Sequence, residues 1–480
     1  MLENLKPEKV FGYFEEISKI PHGSKNEKEI SDYIVAFAKA RDIKYIQDDA
    51  YNVIMFKDAT KGYENSDTII LQGHMDMVCE KTSESTHDFN KDPLELIVDG
   101  DYLKAKDTTL GGDNGIAVAY ILALFDSDDI KHPKIEAILT TDEETGLFGA
   151  ESIDVSMLEG KKLINLDSEE EGIFTVSCAG GSTAFGILPI SRKELEGSLI
   201  EIKISGLLGG HSGAEIDKER ANASKLMGRL LYHLSESFKF VINDIRGGFA
   251  DNVITKEALA QIVSTEGDTK EILKEIENFQ EIIKHEYHAT DKDIRIDAKD
   301  IGPGKYNGVS KVDSYRVISY LNLLPQGIRN MSKEIQGLVE TSSNLGIVNL
   351  GDNQLEATLS IRSSVESRID FLHEEMTNLT KVLGGNITFD GRYPGWEYKA
   401  DSGLRDKMIE VYKAMHGEEP EVMAIHAGLE CGFFAQKIKD VDCISIGPWM
   451  YDVHTPSERL SISSTQSTWE YLVKLLEELK

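Results

Sequence analysis

The segment Thr68-Ile69-Ile70-Leu71-Gln72-Gly73-His74-Met75-Asp76 places two titratable side chains directly after a short apolar run. The run predicts a buried strand over residues 68–72, and Gly73 lets the backbone turn after it. His74 and Asp76 project from the same strand end because they are two residues apart. A metal-binding histidine usually donates its second ring nitrogen to a carboxylate or carbonyl, so His74 is a candidate ligand and Asp76 its candidate support. A hydrogen-bonded surface pair explains the two residues equally well.

The alternation of short apolar runs with amphipathic stretches of helical length continues along the chain. This pattern predicts α/β layers rather than a sandwich or a helix bundle. Strands are predicted over residues 52–56, 68–72, 135–140, 163–166 and 443–446, and helices over residues 7–19, 27–40, 116–125 and 465–479. Several polar and acidic residues fall at the carboxyl ends of these strands, where open α/β sheets bind their ligands.

The character of the sequence changes from about residue 188 onward. β-rich runs lie at residues 199–204, 258–263 and 355–361. Long charged helices are predicted between them, at residues 218–235 and 270–284. A turn-rich segment around Pro394 and Gly395 ends it, because proline and glycine break a continuing element. The sequence therefore predicts a discontinuous first domain, residues 1–186 and 394–480, with a second domain, residues 187–393, inserted into it.

One acid, Asp113, is surrounded by glycines in Leu110-Gly111-Gly112-Asp113-Asn114-Gly115, immediately before the predicted helix over residues 116–125. A helix cap explains an Asp or Asn at this place without any ligand. Glycines on both sides also permit close approach of the backbone to a bound group, which favours a binding role for Asp113.

Three consecutive acids follow the predicted strand over residues 135–140, in Thr140-Thr141-Asp142-Glu143-Glu144-Thr145-Gly146. Adjacent side chains diverge, so Glu143 and Glu144 can take separate tasks. One can bind a metal, while the other activates a water as general base and returns the proton to the leaving amine. A solvated acidic loop explains an isolated triplet equally well.

Two further motifs supply an acid and a histidine. Asn165-Leu166-Asp167-Ser168 closes another apolar strand with the acid Asp167 at its end. A loop ahead of the last predicted helix carries His454 in Val453-His454-Thr455-Pro456-Ser457-Glu458. His454 becomes a ligand only if the fold returns this loop to the other motifs. Otherwise the loop offers a capping box, Ser457-Glu458, close to the final helix.

The composition restricts partners and location. The formal net charge is −31, from 52 basic and 83 acidic residues, which opposes binding to nucleic acids and anionic membranes. The N-terminus lacks the basic start and apolar run of a signal peptide, and no apolar run reaches about 18 residues. A cytoplasmic protein is therefore expected. The four cysteines are scattered, so they indicate neither a disulfide framework nor a thiolate zinc site.

The motifs, taken in order, resemble those of aminoacyl-histidine dipeptidases, also called Xaa-His dipeptidases or peptidase D. These enzymes belong to the dizinc peptidases with an inserted lid domain. The resemblance covers nearly the whole chain and includes Gly-Gly-His-Ser-Gly at 209–213, Tyr-Pro-Gly-Trp at 393–396 and His-Ala-Gly-Leu-Glu at 426–430. It implies an α/β catalytic domain with a mixed sheet and helices on both faces, plus an inserted α+β lid domain.

The resemblance also implies a site with two divalent metal ions. Its expected ligands are His74 and Asp167 for one ion, Glu144 and His454 for the other, and Asp113 for both. Zinc is the expected metal, with Mn²⁺ and Co²⁺ as alternatives, since nitrogen and oxygen ligands suit all three. Two zinc ions about 3.5–4 Å apart can hold a bridging hydroxide and polarise the scissile carbonyl.

Further roles follow from the same resemblance. Glu143 matches the general base, Asp76 matches the acid that supports His74, and the peptide bond after Asp113 is expected to be cis. Four residues are expected to contact substrate, three in the inserted domain and one after it: His211, Asn252, Arg362 and Glu430.

The sequence therefore predicts a metal-dependent dipeptidase, a hydrolase of peptide catabolism that acts on small peptides. A preference for dipeptides ending in histidine rests on the resemblance alone, as does the expectation of a homodimer. A carboxypeptidase or an N-acyl amino acid deacylase on the same scaffold is the alternative. A non-catalytic peptide-binding protein is a more remote one, because every expected ligand position and the base are present.

Overall fold

The computed structural model describes residues 2–266 and 269–480. Its strands are β1 (Lys44–Gln47), β2 (Val53–Lys57), β3 (Ile69–His74), β4 (Leu96–Asp99), β5 (Tyr102–Ala105), β6 (Ile135–Thr140), β7 (Lys162–Asn165), β8 (Ile173–Cys178), β9 (Gly180–Pro189), β10 (Arg192–Ser205), β11 (Lys239–Gly247), β12 (Ala258–Glu266), β13 (Arg295–Val309), β14 (Gly327–Met331), β15 (Val339–Leu350), β16 (Gln354–Ser363), β17 (Asn386–Tyr393), β18 (Glu421–Ile425), β19 (Asp442–Ser445), β20 (Met450–Tyr451) and β21 (Arg459–Ser461). Its α-helices are α1 (Glu8–Ile17), α2 (Lys28–Ala40), α3 (Gly112–Phe125), α4 (Phe148–Ser152), α5 (Ala223–Ser235), α6 (Thr269–Glu286), α7 (Lys311–Leu323), α8 (Glu366–Val382), α9 (Gly403–His416), α10 (Cys431–Lys437) and α11 (Ile462–Glu478).

The described residues form two compact units. The first contains the chain up to Cys178 together with Trp396–Ala424 and Leu429–Lys480. The second contains Ala179–Gly395 and the short segment Ile425–Gly428. The boundary predicted between residues 186 and 187 falls within β9, and the boundary predicted between residues 393 and 394 falls at the end of β17.

The first unit is built on a mixed sheet, so the predicted mixed α/β fold is confirmed. The strand order is β1-β2-β6-β3-β7-β19-β8-β18. The central strands β6, β3, β7 and β19 pair in parallel, whereas β2 pairs with β6 and β8 pairs with β19 in the antiparallel sense. A smaller antiparallel sheet has the order β20-β21-β5-β4.

Helix α3 is buried within the first unit. Every residue from Asn114 to Phe125 is buried, and the helix packs against α1 and β3. A helix that is apolar on all sides is stable only when other elements surround it. The glycines at its start therefore lie inside the protein.

The second unit is an antiparallel sheet of the order β13-β10-β12-β11-β15-β16-β9-β17, with β14 paired to β15. Its apolar core draws on the sheet and on α5, α6, α7 and α8. The helix predicted over residues 218–235 begins later, at Ala223, because the Asn222 side chain accepts the Lys225 N–H and caps it there. No helix within residues 2–266 and 269–480 has the length and apolar character required of a membrane span.

Candidate active site

Three neighbouring parallel strands end at the same edge of the first unit's sheet. β3 lies between β6 and β7, with His74 level with Thr140 and Gln72 level with Asn165. Residues that follow parallel strands meet at their common carboxyl edge. His74 at the end of β3, the acidic loop after β6 and Asp167 after β7 therefore lie at this edge, although they are far apart in sequence.

His74 is buried at this edge, with only 1% of its side chain exposed. Its Nε2 atom lies 3.2 Å from Asp113 Oδ1 and 3.4 Å from Asp167 Oδ1. Its Nδ1 atom faces Asp76, at 3.1 Å from the backbone oxygen and 3.3 Å from Oδ1. Burial lowers the pKa of His74, but the neighbouring carboxylates, Asp167 foremost, raise it well above its usual value. One ring nitrogen thus faces candidate metal-binding oxygens while the other is held by Asp76.

Asp113 lies between the two predicted histidine ligands. Its Oδ1 contacts His74, and its Oδ2 lies 3.1 Å from His454 Nε2. The following peptide bond is cis, as the resemblance implied. The Asn114 side chain accepts the His74 N–H at 3.2 Å and donates to the Leu166 carbonyl at 2.9 Å. This turn is therefore bonded to the backbone at the ends of both β3 and β7.

His454 lies in the loop between β20 and β21, and the fold returns this loop to the other motifs. Its Nε2 atom is 3.0 Å from Glu144 Oε1 as well as 3.1 Å from Asp113 Oδ2. The hydrogen bonds to Asp113 and Glu144 raise the pKa of His454 to about 11. The condition that the sequence left open for a ligand role of His454 is thus met.

Negative charge exceeds positive charge among these groups. Asp167 is buried, and its Oδ1 atom has no hydrogen-bond partner although His74 is 3.4 Å away. Burial raises the pKa of Asp167 to about 7. Burial, with the charge of Asp167 among the further causes, also raises the pKa of Glu143 well above its usual value. A bound cation would stabilise the charged form of carboxylates that lie this close together.

The residues present fit a bound divalent cation. His74, Asp113 and Glu144 each offer a ligand atom, and these atoms lie within 4.8 Å of one another. The unpartnered oxygen of Asp167 adds a buried acceptor that lacks a donor. Imidazole nitrogens and carboxylate oxygens are ligands that Zn²⁺, Mn²⁺ and Co²⁺ all accept.

Asp76 holds both the histidine and the acidic loop. Its Oδ1 accepts the Glu143 N–H at 3.0 Å, and its Oδ2 accepts the Glu144 N–H at 3.3 Å. The Ser24 hydroxyl donates to Oδ2 at 2.8 Å. Burial raises the pKa of Asp76, but the contact with His74 and these donors together lower it. The carboxylate therefore fixes the backbone of the predicted base and of a predicted ligand, a function that the spacing of the sequence did not reveal.

Glu430 stands immediately before α10 in the first unit and has no exposed surface. The Thr140 hydroxyl donates to its Oε2 at 2.7 Å, and the Gln72 side-chain amide donates to the same oxygen. Its Oε1 has no partner, and burial raises its pKa to about 8. Glu430 thus joins side chains of β3 and β6 directly behind the carboxyl edge.

His211 belongs to the second unit and has a defined tautomer. Its Nδ1 accepts the N–H groups of Gly213 at 3.2 Å and Ala214 at 3.0 Å, so the ring proton of the neutral form lies on Nε2. Burial and the charge of Arg362 lower its pKa. Asn252 is exposed, and its backbone oxygen accepts the N–H of Ser212 at 2.8 Å. His211 therefore offers an N–H donor.

Arg362 lies close to two histidines of the second unit. Its Nη1 donates to the Tyr393 hydroxyl at 2.9 Å, while its buried Nε has no partner. A Cβ atom at Gly213 would lie 2.5 Å from His426 O and 3.1 Å from Arg362 Nε, so only glycine fits between them. Burial, followed by the charge of Arg362, lowers the pKa of His426 to about 3. We refer to His211, Arg362 and His426 as the arginine cluster.

Comparisons with known proteins identify the family of this chain. The model of peptidase family M20/M25/M40 matches residues 70–478. The cytosol non-specific dipeptidase of Escherichia coli is 36% identical over 482 residues, which cover 100% of this chain and 99% of that protein. The crystal structure of aminoacylhistidine dipeptidase from Vibrio alginolyticus has a TM-score of 0.95 at 35% identity, covering 99% of this chain and 98% of the other. Aminopeptidase PepT from Bacillus cereus, at 15% identity and a TM-score of 0.57, shares the fold.

Proposed function

The chain belongs to peptidase family M20/M25/M40 and is a metallopeptidase, and from this premise we propose that it hydrolyses dipeptides with two bound divalent metal ions. The observation that carries the proposal is the position of Asp113, whose two carboxylate oxygens face His74 and His454 separately. One carboxylate between two imidazoles is the arrangement that a shared ligand of two ions requires. The two full-length relatives named as dipeptidases support the substrate class.

We propose the metal ligands that the family resemblance implied. Asp113 is shared, and the other four ligands divide into the pairs His74 with Asp167 and Glu144 with His454. Each pair has a histidine and a carboxylate in contact, at 3.4 Å and 3.0 Å respectively. Zinc is the proposed metal, and Mn²⁺ or Co²⁺ would suit the same donors.

Two divalent ions, when bound, polarise the scissile carbonyl and lower the pKa of water. Glu143 is proposed as the general base, which takes a proton from the attacking water and delivers it to the leaving amine. Its raised pKa suits a group that must first accept and then release a proton. Asp76 holds Glu143 and Glu144 by their backbone N–H groups, so the base and a ligand keep their separate directions.

The arginine cluster and Asn252 are proposed to contact the substrate. Arg362 supplies a positive charge and an unpartnered N–H donor, and His211 supplies a second donor on Nε2. A dipeptide carries a free carboxylate, and a guanidinium with neutral donors binds that group well. For Glu430 we propose support of β3 and β6 rather than substrate contact, because its side chain has no exposed surface.

The proposal is tested by the zinc-loaded protein on a panel of dipeptides, with Xaa-His members included, against N-acyl amino acids. Turnover of dipeptides is expected, with a preference for histidine at the second position. Faster turnover of N-acyl amino acids would reject the dipeptidase and favour a deacylase with the same metal site. A cytoplasmic location, supported by the cytosolic relative, and a homodimer are further proposals that fractionation and light scattering test directly.

A further inference from the structure

The carboxylate of Glu458 is buried against the backbone of the loop that carries Asp113. The residue is only 3% exposed. Oε2 accepts the N–H groups of Leu110 at 2.7 Å and Gly111 at 3.1 Å, and Oε1 accepts that of Gly112 at 2.8 Å. The Asp113 N–H is 3.4 Å from Oε1. Four consecutive backbone N–H groups therefore point at one carboxylate.

This arrangement replaces a helix cap. The first N–H groups of a helix have no partner within the helix, and a side chain at the N-cap normally satisfies one or two of them. Gly111 stands at the N-cap of α3 and has no side chain to do so. Glu458 supplies the missing acceptor from far along the chain, at a helix end where negative charge is favoured. The start of α3 thus depends on the C-terminal loop for its conformation.

The same loop reaches Asp113 a second time. His454 stands four residues before Glu458 and contacts the Asp113 side chain, whereas Glu458 binds the backbone at Asp113 and before it. A turn bond of 3.0 Å from the Glu458 N–H to the Thr455 carbonyl ties the two parts of the loop together. Asp113 is therefore held through its side chain and its backbone by one short segment.

We infer that Glu458 is a positioning residue for both metal positions, acting through the backbone of Asp113 without contacting metal or substrate. This inference rests on the proposed function, in which Asp113 is shared by two ions. Because both oxygens of Asp113 move with its backbone, loss of Glu458 disturbs both positions together. Loss of His454 would instead remove a ligand from one of them.

Glu136 in the same unit is a matched control. It is fully buried, and its carboxylate accepts the N–H groups of Glu159 at 3.1 Å and Gly160 at 3.0 Å. It stands at the start of β6, away from the carboxyl edge. Glu136→Gln therefore removes the same kind of buried carboxylate with the same kind of backbone partners, but no candidate ligand depends on it.

The test compares Glu458→Gln with Glu136→Gln in the full-length Co²⁺-loaded protein. Glutamine keeps the size but replaces one acceptor oxygen by an NH₂ donor, which then opposes backbone N–H groups. Glu458→Gln is expected to weaken Co²⁺ binding at both positions and to lower kcat about 10- to 100-fold, and KM is expected to stay nearly constant. The visible absorption of bound Co²⁺ is expected to change. Glu136→Gln is expected to lower the unfolding temperature only.

The inference is overturned if Glu458→Gln lowers the unfolding temperature as Glu136→Gln does but leaves the Co²⁺ absorption and affinity unchanged. If Glu458→Gln does not fold, Glu458→Asp keeps the charge on a side chain shorter by one methylene, and an unchanged spectrum there overturns the inference equally. A wild-type chain that binds two Co²⁺ ions but hydrolyses no dipeptide rejects the proposed substrate and leaves the role of Glu458 standing. A wild-type chain that binds no Co²⁺ rejects both.

Discussion

The two units carry candidate sites of opposite charge. In the first unit, His74 and His454 are surrounded by carboxylates, and burial raises the pKa of Asp167 to about 7. In the second unit Arg362 lies beside histidines, and burial, followed by the charge of Arg362, lowers the pKa of His426 to about 3. The pKa of histidine is therefore raised by carboxylates in the first unit and lowered by burial and Arg362 in the second.

The difference separates two kinds of binding. A buried group of carboxylates is stable only with protons or cations, so the first unit's site selects metal ions. Arg362 carries a positive charge and a buried Nε donor that has no partner, and this is why we propose that the arginine cluster binds an anion such as a peptide carboxylate.

The largest effect is expected from Glu143→Gln in the first unit. Removing a general base lowers kcat about 10²- to 10⁴-fold, and the metal content is expected to remain near two ions per chain because Glu143 is not a proposed ligand. Steady-state kinetics and elemental analysis measure the two quantities. Glu170→Gln, an exposed acid of the same unit, is the control. Retained activity would show that another group is the base.

Asp113→Ala is expected to act on metal binding first. Because Asp113 contacts both His74 and His454, its loss is expected to weaken both ions, and dialysis against a weak chelator should leave fewer than one ion per chain. Elemental analysis and competition with a metal indicator measure this directly. The exposed Glu95→Ala serves as control. An unchanged two-ion stoichiometry would remove Asp113 as the shared ligand.

Arg362→Ala tests the anion-binding side of the contrast. A hydrogen bond to a charged group contributes about 1.5–3 kcal/mol, so KM for a dipeptide is expected to rise about 10- to 100-fold while kcat changes less. The sharper measurement compares a dipeptide with its C-terminal amide, since the variant is expected to lose the preference for the free carboxylate. Arg246→Ala, an exposed arginine on β11, is the control. An undiminished preference would place carboxylate binding elsewhere.

The sequence predicted individual strands and the polar motifs at their ends, because an apolar run followed by an acid is a local feature. The predicted strands over residues 135–140 and 163–166 correspond to β6 and β7, and their parallel pairing with β3 explains why separate motifs meet. The return of His454 could not be read from spacing, because it depends on a loop more than three hundred residues from Asp113 in sequence.

Side-chain functions that depend on contacts with distant backbone groups could not be predicted from the sequence either. Asp76 looked like a support for His74, yet it additionally binds the N–H groups of Glu143 and Glu144. The resemblance implied that Glu430 contacts substrate, yet the fold buries its side chain against Gln72 of β3 and Thr140 of β6. Periodicity indicates which residues are polar, but burial and partners arise only when distant segments pack.

The smallest expected effect is a loss of folding stability of the second unit at low pH. His426 has a pKa of about 3 in the folded chain and about 6.5 when unfolded, so the unfolded state binds more protons below pH 6.5. Folding stability is therefore lost as the pH falls through that window, by about 2 kcal/mol at pH 5. His426→Gln removes this titration, and its amide can still bond to Ser342, the partner of His426 at 2.7 Å.

Urea unfolding at pH 7 and pH 5, followed by hydrogen exchange of peptides from β15, measures the local stability of this unit. Wild type is expected to lose about 2 kcal/mol more than His426→Gln between the two pH values, whereas His288→Gln, at an exposed histidine of the same unit, should behave as wild type. Equal losses in wild type and His426→Gln would mean that Arg362 and burial do not keep His426 neutral. Only the first unit would then shift the pKa of its histidines.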